Sequence, residues 1–317
     1  MSSSRRGGVV IGRFMPPHIG HRYLIEFARS YARELTVFVC TLSTEPIPGE
    51  LRFAWMSRLF PDVHLVHVTE EIPEASRSSA GAHAIWARAI RARLDTDPKY
   101  VFASETYGLD LASELGAEFV PVDPHRAVFP ISAGAIREDP YRHWACIPSI
   151  VRPYFARKIA VIESSGSLVR ELANEHETVF ATEYPSYVRS LDLAGPMPRS
   201  ATELARAQAA SEEALLQQAN KVLFTPNDPL LILVEADLPE EERERVLAEL
   251  SAEYPYLSPT VVVAAEPVSK AYRDAARAHG RHLVEASGRA AARDLVETEL
   301  ERLLGKKRGS QIRLTKI

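Results

Sequence analysis

The sequence predicts an α/β protein with two domains, each built on a parallel β-sheet covered by helices. Short runs rich in β-branched residues alternate along the chain with longer amphipathic stretches, a pattern typical of such sheets. With 317 residues, of which 46% are hydrophobic, the chain is long enough to bury two cores. The segment "IPSIVRPYFARK" (147–158) contains two prolines and suits a connector. We therefore expect domains over residues 1–156 and 157–317.

The first half carries the more regular alternation. Five predicted strands are "GVVIG" (8–12), "LTVFVC" (35–40), "VHLVHV" (63–68), "YVFAS" (100–104) and "AEFVPV" (117–122). Helices are predicted between them over 21–35, 50–60, 82–94 and 107–116. Because parallel sheets bind ligands beyond the carboxyl ends of their strands, the loop after the first strand is the expected site.

The second half repeats the alternation with less regular spacing. Its predicted strands are "KIAVIES" (158–164), "ETVFAT" (177–182), "KVLFTP" (221–226), "LLILVEA" (230–236), "TVVVAA" (260–265) and "HLVEA" (282–286). The clearest predicted helices cover 200–219 and 240–254. This half therefore reads as a second α/β domain.

Composition excludes several classes of protein. A net charge of -4 and a pI near 6.2 give no global reason to bind nucleic acid or an anionic membrane. Cys40 and Cys146 are too few for a disulfide framework, so we expect reduced thiols. No apolar run approaches the roughly 20 residues of a membrane span, and the start "MSSSRRGG" lacks a signal peptide's apolar core. We expect a cytoplasmic protein without a DNA-binding segment before the first strand.

The loop after the first strand reads "GRFMPPHIGH" (12–21). A loop that leads from a parallel strand into a helix presents unpaired N–H groups, which favour phosphate. Gly12 allows close approach of the backbone, and the two prolines stiffen the turn. His18 and His21 are three residues apart, so both imidazoles can face one anion. A histidine-containing helix cap is the simpler alternative, and a zinc site lacks further ligands at a supporting spacing.

Two segments carry a family resemblance. "GRFMPPHIGH" resembles the G-x-F-x-P-x-H-x-G-H signature of the HxGH nucleotidylyltransferase superfamily, and "FPISAGAIREDPYRHW" (129–144) resembles its I-S-x-T-x-I-R signature. Segments between and after them are similar to the NadR type of bifunctional protein: "LRFAWMSRLFP" (51–61), "VFASETYG" (101–108), "VDPHR" (122–126) and "IPSIVRPYF" (147–155). That type fuses a nicotinamide mononucleotide (NMN) adenylyltransferase to a ribosylnicotinamide kinase. The resemblance implies a Rossmann-like nucleotidylyltransferase domain followed by a P-loop-kinase-like domain.

The resemblance also implies a reaction and a set of site residues. The 5′-phosphate of a mononucleotide attacks the α-phosphorus of ATP, and pyrophosphate leaves. Catalytic roles fall to His18, His21 and Arg137. Nucleotide and phosphate binding is implied for Gly12, Arg13, Phe14, Ser132, Ser104 and Glu105. The expected cofactor is Mg²⁺, held mainly by the substrate phosphates rather than by protein ligands.

Acceptor binding is implied for Arg52, His83 and Trp86, with two departures from the family pattern. Gly134 stands where the second signature usually has Thr, and His83 stands roughly where the family carries a tryptophan that stacks on the nicotinamide ring. These departures leave other readings open. The second reading is a nucleotidylyltransferase of the same mechanism that acts on another phosphate or phosphonate acceptor, or uses CTP, in a specialised pathway. A non-catalytic nucleotide sensor is a third reading, against which the intact phosphate-side residues argue.

The second half departs further. A P-loop kinase requires G-x-x-x-x-G-K-[ST], but "AVIESSGSLVREL" (160–172) lacks the leading glycines and has Ser167 where lysine is needed. Asn227 and Asp228, between two prolines, are a doubtful magnesium-binding pair. We therefore expect a degenerate kinase fold kept for packing, regulation or assembly into a homo-oligomer.

Overall fold

A computed structural model describes residues 7–70, 80–191 and 197–305 of the chain. It divides between Val151 and Arg152 into two compact units, slightly before the expected boundary at 156. Each unit has its own parallel sheet, which confirms the predicted α/β class. None of the helices in the described ranges combines the length and apolar character that crossing a bilayer requires.

The first unit contains a five-stranded parallel sheet in the order β3-β2-β1-β4-β5. Its strands are β1 (Gly7–Gly12), β2 (Glu34–Cys40), β3 (His64–Val68), β4 (Tyr100–Ala103) and β5 (Glu118–Pro121). Its helices are α1 (Ile19–Tyr31), α2 (Gly49–Leu59), α3 (Ala80–Arg91), α4 (Tyr107–Leu115) and α5 (Ala133–Glu138). From β1 the chain builds the sheet outward to β2 and β3 on one side, and then returns to add β4 and β5 on the other side. The loops after β1 and β4 therefore lead away in opposite directions and leave a crevice between them.

The central strand is buried on both faces, as a parallel sheet requires. Val10 packs in one core with Ile25 of α1, while Val9 packs in a second core with Leu111 of α4. Gly8 is needed because a Cβ at this position would lie 2.5 Å from the ring of Phe102. The two cores fix β1 in the middle of the unit and thereby fix the start of the loop that follows it.

The second unit contains a four-stranded parallel sheet in the order β7-β6-β8-β9. Its strands are β6 (Arg157–Ile162), β7 (Val222–Thr225), β8 (Val261–Ala264) and β9 (Leu283–Glu285). Its helices are α6 (Arg152–Phe155), α7 (Ser167–Glu175), α8 (Tyr184–Ser190), α9 (Ala201–Leu216), α10 (Pro229–Glu235), α11 (Glu240–Glu253), α12 (Lys270–Ala278) and α13 (Arg289–Leu304).

Two predicted strands of this unit are wrong. The run 230–236 forms α10, because Asp228 caps the helix by accepting the N–H of Leu230 at 3.2 Å and Pro229 occupies the first turn. This helix is buried on nearly all sides, so its continuous apolar sequence shows no helical period. The run 177–182 contributes only one parallel bridge, from Phe180 to Phe224 of β7.

A buried charge pair sits beside α10. Asp228 is fully buried, and its carboxylate lies 3.1 Å from the Arg281 guanidinium and accepts a hydrogen bond from the Tyr272 hydroxyl at 3.2 Å. Burial, together with the adjacent carboxylate, raises the pKa of Tyr272 above its usual range. The sequence offered Asp228 as a doubtful magnesium ligand. Its carboxylate oxygens instead contact the N–H of Leu230, the Tyr272 hydroxyl and the Arg281 guanidinium.

Replacing Arg281 with Met should lower the free energy of unfolding of the second unit by about 3–5 kcal/mol, because Asp228 is left as an unpaired buried charge. The exposed pair of Arg273 and Glu285, 2.8 Å apart, supplies a matched control, and Arg273→Met should cost about 1 kcal/mol or less. Denaturant titration measures both. Adding Asp228→Asn to Arg281→Met should recover much of the loss, and equal losses in the two single variants would contradict the assignment.

Candidate active site

A cavity of about 290 Å³ opens in the first unit at the carboxyl ends of β1 and β4. The two signature segments converge on it, although they are far apart in the sequence. All the residues predicted for catalysis and for nucleotide or phosphate binding line this cavity: Gly12, Arg13, Phe14, His18, His21, Ser104, Glu105, Ser132 and Arg137.

His18 is both the cap of α1 and part of the cavity wall. Its Nδ1 accepts the backbone N–H of Gly20 at 3.1 Å and that of His21 at 3.4 Å, and its side chain is 6% exposed. A neutral imidazole that accepts through Nδ1 carries its proton on Nε2. The cap therefore sets the tautomer and leaves Nε2–H as the donor of this side chain.

His21 lies against His18 with the ring centres 3.7 Å apart and the planes at 27°. Its Nδ1 is buried and has no hydrogen-bond partner within the described residues. Burial, with the charge of Arg126 added, lowers the pKa of His18 to about 4. Burial also lowers the pKa of His21, with smaller contributions from His18 and Arg126. Both rings are therefore neutral at pH 7 and offer hydrogen bonds without charge.

The backbone of the loop after β1 is held by a close fit. Phe14 adopts a left-handed conformation with φ of 47°, and its ring is 1% exposed. A Cβ at Gly12 would lie 2.9 Å from that ring, so only glycine fits here. Arg137 donates from its guanidinium to the carbonyl of Met15, which ties α5 to the loop. Phe14 thus shapes the loop by packing, and Arg137 has a positioning contact besides its place in the cavity.

Arg52 does not line the cavity. It is fully buried beneath the loop, where it pairs with Glu45 and donates to the carbonyls of Arg13, Cys40 and Ile47. The same Glu45 carboxylate lies 3.3 Å from the Arg13 guanidinium. Its donors bind carbonyls in and beside the loop, away from the cavity wall, and the acceptor-binding role of Arg52 stays a prediction.

His83 and Trp86 line a second, smaller pocket that shares Ile11 and Tyr107 with the cavity wall. Its volume is about 10 Å³, room for about one water molecule. His83 is 8% exposed, and its Nε2 is buried without a hydrogen-bond partner among the described residues. Trp86 is half-buried. The two predicted acceptor residues thus lie together, next to the cavity and apart from Arg52.

Gly134 leaves open space in the wall. A Cβ added there would meet only Ser132 Oγ at 3.7 Å and Arg137 Nη2 at 4.0 Å. The Ser132 hydroxyl meanwhile accepts the N–H of Ala135 at 3.1 Å as the cap of α5. The hydroxyl that the family signature supplies at position 134 is missing, and within the described part of the chain no side chain apart from these two comes within 4 Å of the added Cβ.

The cavity residues that were not predicted include Tyr107, Asp123, Arg126 and Phe129. Tyr107 donates to the Ile11 carbonyl at 2.9 Å, which fixes the end of β1. Asp123 and Arg126 belong to the segment "VDPHR" (122–126), which resembles the NadR type. The sequence therefore pointed to this segment, but it assigned no role to either residue. Within the described ranges, no three His, Cys, Asp or Glu side chains are grouped so that they could hold a metal ion.

The corresponding loop of the second unit, residues 163–166 between β6 and α7, is occupied by its own carboxylate. Glu163 is 5% exposed and accepts the backbone N–H of Leu168 in the first turn of α7 and the hydroxyl of Ser165 at 3.2 Å. Arg289 pairs with it at 3.0 Å and also donates to Ser167. A helix N–H that binds phosphate in a P-loop is here bound by a side chain of the chain itself.

No family model matches the chain. It is 33% identical over 198 residues to the trifunctional NAD biosynthesis/regulator protein NadR of Salmonella typhimurium, and 34% identical over 199 residues to that of Escherichia coli. Each match covers 56% of this chain and 48% of the relative, so the chain spans about half the length of these curated relatives.

Two solved structures extend the likeness to both units. A NadR protein in complex with NAD and AMP-PNP superposes with a TM-score of 0.72 over 99% of each chain, and one in complex with NR does so over 98% of each. These similarities support a NadR-type protein. At 18% identity the structural likeness shows the fold alone, and the stronger sequence similarity to the two curated NadR relatives covers 56% of this chain.

In the ligand-free protein, His18 should stay neutral down to about pH 4, because burial and Arg126 disfavour the imidazolium. Between its ordinary pKa of 6.5 and about 4, the unfolded chain binds a proton that the folded chain does not, so acidification through this range lowers stability. Side-chain NMR titration measures the pKa, and Arg126→Ala should raise it. A midpoint near 6.5 that does not respond to Arg126→Ala would contradict this description.

Proposed function

We propose that the NadR-type chain is a nucleotidylyltransferase that joins the adenylyl group of ATP to NMN, forming NAD and pyrophosphate. One observation carries the proposal: both signature segments meet at one cavity. His18 and His21 enter it from the loop after β1, while Ser132 and Arg137 enter it from α5. Convergence of two distant motifs on one wall is the structural context that a pair of motif matches requires.

The proposed reaction needs no covalent intermediate. A phosphate oxygen of the acceptor attacks the α-phosphorus of ATP, and the bond from that phosphorus to the oxygen bridging to the β-phosphate breaks. The electron pair leaves with pyrophosphate. His18 would donate through Nε2–H to a phosphate oxygen, and Arg137 would offer a planar pair of donors. Such preorganised donors stabilise the charge that develops in the transition state.

Mg²⁺ would enter with the triphosphate. The Asp123 carboxylate already accepts backbone N–H groups from Ala127, Val128 and Phe129, so it is a poor candidate for a metal ligand. We propose that phosphate oxygens and water hold the ion, which supplies charge neutralisation when bound.

The names of the similar proteins support this chemistry. The two curated relatives are NAD biosynthesis/regulator proteins, and the solved structures hold NAD with AMP-PNP, or NR. A related reaction with a different acceptor is favoured by one feature, the unpartnered Nε2 of His83 in the pocket beside the cavity. An acceptor ring whose substituent bonds to this nitrogen would satisfy it. A panel of phosphorylated acceptors with ATP and CTP separates the two readings.

We further propose that the second unit does not transfer phosphate. Glu163 accepts the N–H of Leu168 in the first turn of α7, and Ser167 begins that helix where a kinase needs lysine. A triphosphate placed there would meet a carboxylate instead of a compensating charge.

His18→Ala and His21→Ala should each lower turnover with ATP, Mg²⁺ and NMN about 10²- to 10³-fold, because each removes a preorganised phosphate donor. Pyrophosphate release measures the rate, and mass spectrometry identifies NAD. His176→Ala is the matched control, since this histidine lies in the second unit and pairs with Glu297 at 2.8 Å. Wild-type turnover in both cavity variants would sink the assignment.

Ribosylnicotinamide and ATP should give no NMN with the purified full chain, because the loop of the second unit can neither wrap nor neutralise a triphosphate. Chromatography with mass detection follows NMN formation directly. NMN that forms with the unaltered chain and disappears with Glu163→Lys would show a working kinase site and refute the proposal.

A further inference from the structure

Resting on the proposed function, we propose that Arg126 is a phosphate-binding residue of the cavity. In the free protein it contacts Glu105, and on binding it exchanges this contact for the triphosphate of the nucleotide. Neither signature segment contains Arg126. Its assignment therefore depends on its place in the structure.

The contact between Arg126 and Glu105 is weak enough for a nucleotide phosphate to replace it. Both residues line the cavity, and Arg126 Nη2 lies 3.4 Å from Glu105 Oε1. Their side chains are 43% and 59% exposed, so water screens the pair and its contribution to stability is small. A polyphosphate carries several charges and accepts several hydrogen bonds, so it competes well for the same guanidinium.

The backbone that carries Arg126 is, by contrast, firmly held. The carboxylate of Asp123 accepts the N–H groups of Ala127 at 2.7 Å and of Val128 and Phe129 at 3.2 Å each. The N–H of Arg126 itself donates to the Asp123 carbonyl at 2.9 Å, and both residues have left-handed φ angles, 48° for Asp123 and 50° for Arg126. Asp123 is thus a positioning residue. It fixes the Cα of Arg126 at the cavity rim while the side chain stays exposed.

The other cavity cations are more committed. Arg13 pairs with Glu45, whose side chain is only 6% exposed, and Arg137 donates to the Met15 carbonyl. The two histidines are neutral. Arg126 already acts electrostatically on the site, because its charge lowers the pKa of both imidazoles. Of the cavity cations, Arg126 is therefore the one best able to turn toward an incoming triphosphate.

Equilibrium binding to the full-length protein tests the proposal with three probes: Mg·ATP, inorganic tripolyphosphate and adenosine. Arg126→Ala should weaken binding of ATP and tripolyphosphate about 10- to 100-fold, because a charge-assisted contact is lost, and should leave adenosine binding unchanged. Arg126→Lys should retain part of the affinity. Arg91→Ala is the matched control, since Arg91 pairs with Asp97 at 3.2 Å with similar exposure outside the cavity wall.

Glu105→Gln tests the exchange itself. Removing the competing carboxylate should tighten ATP binding about two- to fivefold in the unaltered background and have no effect beside Arg126→Ala. If Glu105→Gln weakens ATP binding in both backgrounds, Glu105 contacts the nucleotide directly and the exchange is refuted.

The remaining outcomes separate this inference from the proposed function. Unchanged ATP affinity in Arg126→Ala, while His18→Ala weakens it, would overturn the role of Arg126 alone. An equal loss of adenosine and ATP affinity in Arg126→Ala would mean that the loop had collapsed, and would also overturn it. Failure of the unaltered protein to bind ATP or tripolyphosphate would overturn the proposed function and this inference together.

Discussion

The site in the first unit depends on the hydrogen bonds that fix the backbone of the loop after β1. Two arginines hold its backbone carbonyls: Arg52, buried below, donates to Arg13, and Arg137 on α5 donates to Met15. Because these arginines bind the carbonyls and fix the backbone, the loop can present histidine side chains to the cavity. The grip of Arg52 depends in turn on the buried carboxylate of Glu45, which keeps a guanidinium charged in an apolar setting. Loss of this pair would weaken the contacts of Arg52 and Glu45 with Arg13, and so the attachment of the loop.

The two units differ in the side chains that face the space after their first strands. In the first, neutral imidazoles face that space. Its wall carries more arginines than carboxylates: Arg13, Arg126 and Arg137 against Glu105 and Asp123. In the second, Glu163 fills the equivalent position and Arg289 neutralises it. The chain's own carboxylate satisfies the helix N–H group that would otherwise attract phosphate. One topology thus yields an open cavity in one unit and an internally satisfied loop in the other.

Much of this arrangement could be predicted from periodicity and motifs, and some of it could not. The strands of the first unit stand out because polar and glycine residues bound them, and the histidine and Ser132 motifs indicated their shared cavity. Helix α10 was hidden because burial on all sides removes the helical period. The structural role of Arg52 depends on long-range partners such as Glu45 and Arg13, which no local pattern reveals. Arg126 was likewise overlooked because its turn depends on a carboxylate that folds back onto later N–H groups.

A crystal structure of the full chain with a non-hydrolysable ATP analogue and Mg²⁺ tests the central claim most directly. We expect one nucleotide per chain in the first unit, with phosphate oxygens within hydrogen-bond distance of His18 Nε2 and the Arg137 guanidinium. Glu163 should keep its contacts with Leu168 and Arg289. A triphosphate bound at residues 163–166, or phosphates that leave His18 and His21 uncontacted, would contradict it.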